Sequence, residues 1–296
     1  MGVADIIPGV SGGSIAFITG IYEELVHSIH ELDSTSARLL SKFQFAACWK
    51  KINGNFLVTI LAGIATSLLL LSGMMLHLLR YYPIMTWSFF FGLILMSFPL
   101  ILRKIKKWKL GSATGFIVGA GLAYLVTISS PVQTSDNLFF VFLAGAIAIC
   151  AMVLPGISGV LILLLIGKYQ YIVTALNEFN ILVILVFAIG CLSGLMGVSR
   201  LLTWALTNYH QVVIALLSGF MVGALNKVWP WRKVLEYATN SKGDQIAVFD
   251  KSVLPWDYLS ETGKDPQLFQ AIFMMALGVL IVVLIEKIAV RLKTKH

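Results

Sequence analysis

The sequence predicts an all-α polytopic membrane protein built as an inverted repeat. Each half is a re-entrant helical hairpin carrying a Pro-Gly-x-Ser-Gly break, followed by three transmembrane helices. Three observations predict it. Of 296 residues, 58% are hydrophobic and only 12% charged, with mean hydropathy +0.88; a soluble chain carries about twice that charge. Most uncharged stretches are close to the ~20 residues that cross ~30 Å of hydrocarbon at about 1.5 Å per residue. Finally, Pro8-Gly9-Val10-Ser11-Gly12 returns 147 positions later as Pro155-Gly156-Ile157-Ser158-Gly159, and seven of the fifteen residues in 8–22 and 155–169 are identical.

The first hairpin is expected over residues 1–30, broken at Pro8-Gly9. Proline removes a backbone donor and glycine frees the backbone, so the break leaves amides and carbonyls needing partners at membrane depth. Its first arm is expected to be short, since nothing before Met1 matches 138–147, and the chain is expected to start inside a longer natural N-terminus. The opening has no basic n-region and carries Asp5 before the Gly-rich break, so no cleavable signal peptide is expected. Spans follow at Phe56–Leu79, Ile84–Leu102 and Leu110–Ser130. The uncharged run Leu138–Gly167 is too long for one helix and too short for two full ones, which fits a second hairpin bent at Pro155-Gly156. Ile181–Ser199, His210–Asn226 and Leu268–Ile285 complete the second half. A fainter correspondence at offset 127 pairs Ala62-Gly63 with Ile189-Gly190 and Gly92 with Gly219. The repeats are therefore 1–137 and 138–296.

Three spans between the hairpins make the halves inverted: the first hairpin opens to one side and the second to the other. Basic residues set the absolute direction. Arg38, Lys42, Lys50 and Lys51, the run Arg103, Lys104, Lys106, Lys107 and Lys109, and the tail with Lys287, Arg291, Lys293 and Lys295 share one side, which the positive-inside rule makes cytoplasmic. The C-terminus is thus expected in the cytoplasm. The net charge of +8 follows from this topology and from contact with anionic membrane lipid, with no nucleic-acid partner implied. The loop 227–267, with six basic and six acidic residues and Trp229, Trp231 and Trp256, is expected outside as a small cap or irregular loop at the membrane interface.

Chemistry is expected at the two breaks. Successive backbone amides at Gly9, Ser11, Gly12 and Gly13, beside the Ser11 and Ser14 hydroxyls, suit a phosphate or carboxylate, and Gly156, Ser158 and Gly159 face them. The other reading is that these small residues only let two hairpin tips cross closely. Gly9-Val10-Ser11-Gly12 and Gly156-Ile157-Ser158-Gly159 also match the Gly-x-Ser-Gly of intramembrane serine proteases. His77 is the only histidine well inside a span, its equivalent in the other half is not histidine, and a protease has no use for two nucleophile loops. Asp5 and Glu23 lie where carboxylates are costly and stand as candidates for ion or proton coupling, against a helix cap for Asp5 and a headgroup position for Glu23 with Glu24. Arg200 ends an uncharged span and could grip a phosphate or snorkel to headgroups; Lys168 has the same two readings. His27, His30 and His210 lack metal-ligand spacing, and no nucleotide or cofactor fingerprint is present, so no metal, no cofactor and no catalytic residue is expected. Cys48, Cys150 and Cys191 read as reduced packing residues.

Asp5 to Ser14, with Gly20-Ile21-Tyr22-Glu23 and the second motif Leu154-Pro155-Gly156-Ile157-Ser158-Gly159, resembles the bacterial polyprenyl-phosphate (undecaprenyl-phosphate) translocase family over nearly the whole chain. The resemblance implies return of undecaprenyl phosphate from the outer to the cytoplasmic leaflet of the cytoplasmic membrane. The anionic head would meet Gly9, Ser11, Gly12, Gly13 and Ser14 from one side and Gly156, Ser158 and Gly159 from the other, with Arg200 as a further contact. The second copy has Met152 and Gln170 where the first has Asp5 and Glu23, so a coupling residue would belong to the first half.

Overall fold

The structure is a computed structural model that describes residues 1–5, 11–103, 105, 108–132, 134–135, 137–239 and 245–293. It opens with α1 (Gly2–Asp5), α2 (Gly12–Thr19) and α3 (Tyr22–His30), then two short helices, α4 (Ser34–Ser41) and α5 (Phe45–Lys51). Three long apolar helices follow: α6 (Gly54–Tyr81), α7 (Pro83–Leu102) and α8 (Leu110–Ile128). The second part has α9 (Leu138–Val153), α10 (Gly159–Leu165), α11 (Tyr169–Asn177) and α12 (Ile181–Ala224). It ends with strands β1 (Arg232–Thr239) and β2 (Gln245–Ser252), α13 (Tyr258–Thr262) and α14 (Leu268–Lys293). Among the described residues, α6, α7, α8, α12 and α14 are long and apolar enough to cross a membrane.

At 1.5 Å per residue a straight α12 would be ~66 Å long, about twice the hydrocarbon thickness. It is broken at Tyr209, whose φ −133 and ψ 39 are not helical. Tyr82, 127 positions earlier between α6 and α7, has nearly the same dihedrals, φ −130 and ψ 50. α12 thus has a helix, break and helix with the dihedrals of the α6–α7 junction, and its two segments overlap the ranges 181–199 and 210–226 expected as spans. The first segment runs on past Arg200 to the break because residues 200–208 contain neither glycine nor proline.

Glycines set the closest helix contacts. A side-chain carbon on Gly92 would lie 2.1 Å from the Met275 carbonyl oxygen, and one on Gly278 2.3 Å from that of Phe89, so α7 and α14 touch backbone to backbone. α8 and the second segment of α12 repeat the contact, with Gly219 at 2.2 Å from the Phe116 oxygen and Gly119 at 2.2 Å from the Leu216 oxygen. Gly92 and Phe89 correspond to Gly219 and Leu216 at the offset of 127 residues found in the sequence, while Met275 and Gly278 correspond to Phe116 and Gly119 at a second shared spacing. Each crossing therefore joins the middle long helix of one part to the last long helix of the other.

The two broken segments also fold alike. Gly20 (φ 78) ends α2 before α3 starts at Tyr22, and Gly167 (φ 68) follows α10 before α11 starts at Tyr169. Only glycine reaches such positive φ at little cost. α10 runs back beside α9, placing the Leu165 and Ile166 carbonyls where they accept from the Val132 amide (2.7 Å) and the Thr134 hydroxyl (2.8 Å). α11 then leaves α10 at 106°. Behind both breaks, Ala16, Phe17, Tyr22, Phe90, Ile94, Ile157, Leu217 and Met221 share one buried cluster drawn from both halves of the sequence.

The fold is dominated by helices, as the all-α expectation has it; the exception among the described residues is one short β-hairpin within 227–267, the stretch expected as a small cap or irregular loop. β1 and β2 form an antiparallel hairpin with Arg232 opposite Ser252. The signal lay in short alternating runs too polar to stand out beside the long apolar helices. Trp231 is buried with Ile84, Tyr258 and Ala271, fixing this unit to the end of the bundle where α7 and α14 begin. The Trp229 and Trp231 indole N–H groups donate to the carbonyls of Val253 and Pro266, each at 2.8 Å, while Trp256 is exposed.

Candidate functional site

The two breaks meet. Ser11, with extended backbone, caps α2 by accepting from the Gly13 amide at 3.1 Å, and its hydroxyl donates to the Met152 carbonyl at 3.1 Å. Across the contact the Gly156 amide donates to the Ser14 hydroxyl at 2.8 Å. Partners about 140 positions apart thus join the first loop to the second through polar groups, in surroundings where each would otherwise be unpaired. Ser11, Ser14 and Ser158 are all buried.

The contact is close because of its glycines. A side-chain carbon on Gly13 would lie 2.8 Å from the Val153 oxygen, one on Gly156 2.7 Å from the Phe220 oxygen, and one on Gly159 2.7 Å from the Ala148 oxygen. Gly156 also has φ 91. Gly13 thus lets the first loop close on the end of α9, while Gly156 and Gly159 seat the second loop against α12 and α9; room for a ligand between the loops requires them to part. The halves differ in what remains free. Ser11 caps α2, whereas no side chain caps α10, and the Ser158 hydroxyl has no hydrogen-bond partner among the described residues.

Other residues singled out in the sequence lie elsewhere. Gly9, with Pro8 and Val10, falls outside the described residues. Asp5 ends α1, and its side chain is likewise outside them. Glu23 is exposed at the start of α3 and pairs with His210 Nε2 at 3.0 Å, just beyond the Tyr209 break. Beside this pair is a cavity of about 300 Å³ lined by Glu23, Val26, His27, Thr203, Leu206 and Thr207. Glu24 accepts from the Asn53 side-chain amide at 2.8 Å. Arg200 is exposed on the first segment of α12 and makes no hydrogen bond or ion pair among the described residues. Lys168 is buried, and its ammonium donates to the Thr134 carbonyl at 2.7 Å, so it ties together the two ends of the second hairpin. His77 is exposed and packs on Tyr81, with ring centroids 4.4 Å apart. Neither Ser11 nor Ser158 has a hydrogen bond to a histidine among the described residues. No group of three or more possible metal ligands occurs among them.

Two features had no signal in the sequence. The His210 pairing joins residues far apart in the chain and depends on the turn at Tyr209. At the base of the β-hairpin, Asp250 takes a two-pronged pair of hydrogen bonds from Arg232, both 2.7 Å, and a third of 2.7 Å from Lys227. Arg232 also donates to the Asn226 carbonyl, and the Asn226 side chain donates to Thr127 at the end of α8 at 2.8 Å. Burial alone would raise the Asp250 carboxyl, but the Arg232 hydrogen bonds and the charges of Lys227 and Arg232 outweigh it and hold the group below the usual carboxylate range.

Residues 1–246 match a family described as undecaprenyl phosphate translocase-like. The chain is 41% identical to a Vibrio cholerae protein named polyprenyl-phosphate transporter, over 98% of this chain and 94% of the relative. A Staphylococcus aureus protein of the same name is 33% identical, over 78% of this chain and 83% of the relative. No solved structure gives a significant match.

Proposed function

From its membership of the undecaprenyl phosphate translocase-like family, we propose that this chain carries a polyprenyl phosphate across the bacterial cytoplasmic membrane, from the outer to the cytoplasmic leaflet for reuse. The observation that carries the reading is the direct bonding of the two broken segments, Ser11 to Met152 and Gly156 to Ser14. Broken helices tolerate a polar interior only where something polar satisfies them. Here each loop serves the other while the tips are shut.

The anionic head exchanges with these contacts when the tips part. It takes hydrogen bonds from Ser11, Ser14 and Ser158 and from the amides around Gly9, Gly12, Gly13, Gly156 and Gly159, with Arg200 as a further cation on the route. The two loops are inverted re-entrant hairpins, so that exchanging the conformations of the halves moves access from one leaflet to the other. The matched turns at Tyr82 and Tyr209 and the matched glycine crossings support this. The C-terminus lies in the cytoplasm and the β-hairpin outside.

The test is leaflet exchange of a fluorescent polyprenyl phosphate in proteoliposomes, read by quenching from outside. Exchange is expected with the native chain and is expected to be lost in Ser11→Ala combined with Ser158→Ala. Losing the cap costs that variant ~1 kcal/mol and losing the bond to the Met152 carbonyl about 1–3 kcal/mol more, so insertion and purification are checked alongside exchange. Unchanged exchange in the double variant would remove the loops from the mechanism; movement of inorganic phosphate in place of the lipid would replace the substrate.

Asp5 and Glu23 are the coupling candidates. The Glu23 and His210 side chains are 56% and 51% exposed, and such surface pairs contribute only about 0–1 kcal/mol. Glu23→Gln is therefore expected to leave thermal stability within ~1 kcal/mol of native while slowing exchange or changing its dependence on pH. Unaltered exchange across pH would assign Glu23 to the headgroup region alone.

A further inference from the structure

Between α6, α7 and α14 lies an apolar groove of about 500 Å³, lined chiefly by Met75, Leu78, Met85, Phe89, Phe90 and Met274. It carries no charged residue, and the buried Thr86 hydroxyl on its wall is satisfied by the Tyr82 carbonyl at 2.9 Å. We infer that this groove seats the isoprenoid chain of the carried lipid. The inference rests on the reading that the substrate is a polyprenyl phosphate, and it assigns the tail a place that the loops do not provide.

Apart from the Tyr82 and Thr86 hydroxyls its lining residues are apolar, and a cavity walled in this way suits an apolar chain better than water. Its floor is closed where α7 and α14 cross at Gly92 and Gly278. Its side is open because α6 stands apart: Leu69 and Leu70 are exposed, and a side-chain carbon on Gly63 or Gly73 would meet nothing within 4 Å. A chain can therefore enter sideways from the bilayer without crossing a polar barrier.

Two further observations favour the substrate's own tail over ordinary acyl chains. Met75 and Phe90 belong to the same buried cluster as Ala16 and Phe17 of α2, the helix that Ser11 caps. A head held at the loops thus has an apolar path to the groove along one helix. In the other half, the positions equivalent to Leu78, Met274 and Leu277 are Ala205, Gly115 and Val118. There a side-chain carbon on Gly115 would lie 3.2 Å from Val212 Cγ1, Val212 being the equivalent of Met85. The side chains that line the groove are thus not repeated at these equivalent positions of the other half. Three methionines and two phenylalanines give it an adaptable, polarisable wall suited to a methyl-branched, unsaturated chain.

The test places a benzophenone amino acid at position 274, at 85, or at the outward-facing 69, in the full chain in nanodiscs of phosphatidylglycerol, with alkyne-tagged undecaprenyl phosphate as the probe. Labelling is expected at 274 and 85. It should fall about tenfold when untagged undecaprenyl phosphate is ~10 times above its Kd, and stay unchanged with the same excess of phosphatidylglycerol. Position 69 should label weakly and without competition. Labelling at 274 and 85 no stronger than at 69, or displaced equally by phosphatidylglycerol, overturns the assignment in favour of bulk acyl chains. Saturable binding of undecaprenyl phosphate without labelling at 274 or 85 overturns the groove alone; no saturable binding overturns the parent reading with it.

Discussion

Gly156→Ala should abolish leaflet exchange and destabilise the protein by about 2–5 kcal/mol. Two costs combine. Gly156 has φ 91, a region that an L side chain enters only with strain of about 1–3 kcal/mol. The new methyl would also sit 2.7 Å from the Phe220 carbonyl oxygen and 3.0 Å from its carbon, backbone atoms of α12 that cannot swing aside. Relief requires the second loop to lift from α12, which draws the Gly156 amide away from Ser14. Gly263→Ala separates the two costs, since Gly263 has φ 70 but nothing within 4 Å of its side-chain position. It should lose only the conformational part and keep exchange. Thermal midpoints in detergent and the proteoliposome assay read both effects; a Gly156→Ala protein as stable as Gly263→Ala would show that the second loop is not held against α12.

Asp250→Asn should be the most damaging change outside the spanning helices. The Arg232 and Lys227 side chains are only 7% and 12% exposed, and both are directed at this one carboxylate. Breaking a buried ion pair from one side leaves uncompensated charge and costs about 3–5 kcal/mol. The loss should appear locally, because the cluster ties the β-hairpin to Asn226 and, through it, to Thr127. Faster amide exchange over 226–253 is expected, with α8 and α14 protected as before. The same carboxylate predicts an acid limit. Its folded pKa lies below its unfolded value of about 3.9, so its stabilisation is complete above that pH and drains away as pH falls through the folded value. Acid should therefore loosen the hairpin in the native chain and have little further effect in Asp250→Asn. Equal protection of 226–253 in both proteins at neutral pH would contradict the account.

Much of the helical architecture was legible because lipid leaves a chain few choices. Uncharged runs of about twenty residues must be helices there, and their ends were read to within a few residues for α7, α8 and the start of α14. The break between α9 and α10 was legible because Pro155-Gly156 interrupts the apolar run. The β-hairpin was not, since alternation over eight residues in a charged loop carries little signal. The pairing of Glu23 with His210 was invisible for another reason: neither residue has a local pattern, and only the turn at Tyr209 brings them together.

At the paired loops the division is sharper. The sequence by itself determined that two like motifs recur 147 positions apart, that they carry serine and glycine, and that the chain is a polytopic membrane protein, because composition, repeat spacing and backbone chemistry are properties of the string. Only the tertiary structure decided that Ser11 and Ser14 bond to the second loop while the Ser158 hydroxyl has no partner among the described residues, and that a groove opens between α6, α7 and α14. Those outcomes depend on distances between residues remote in the chain, set by how closely glycine lets helices approach and by side-chain volume across each crossing. No local pattern encodes such distances.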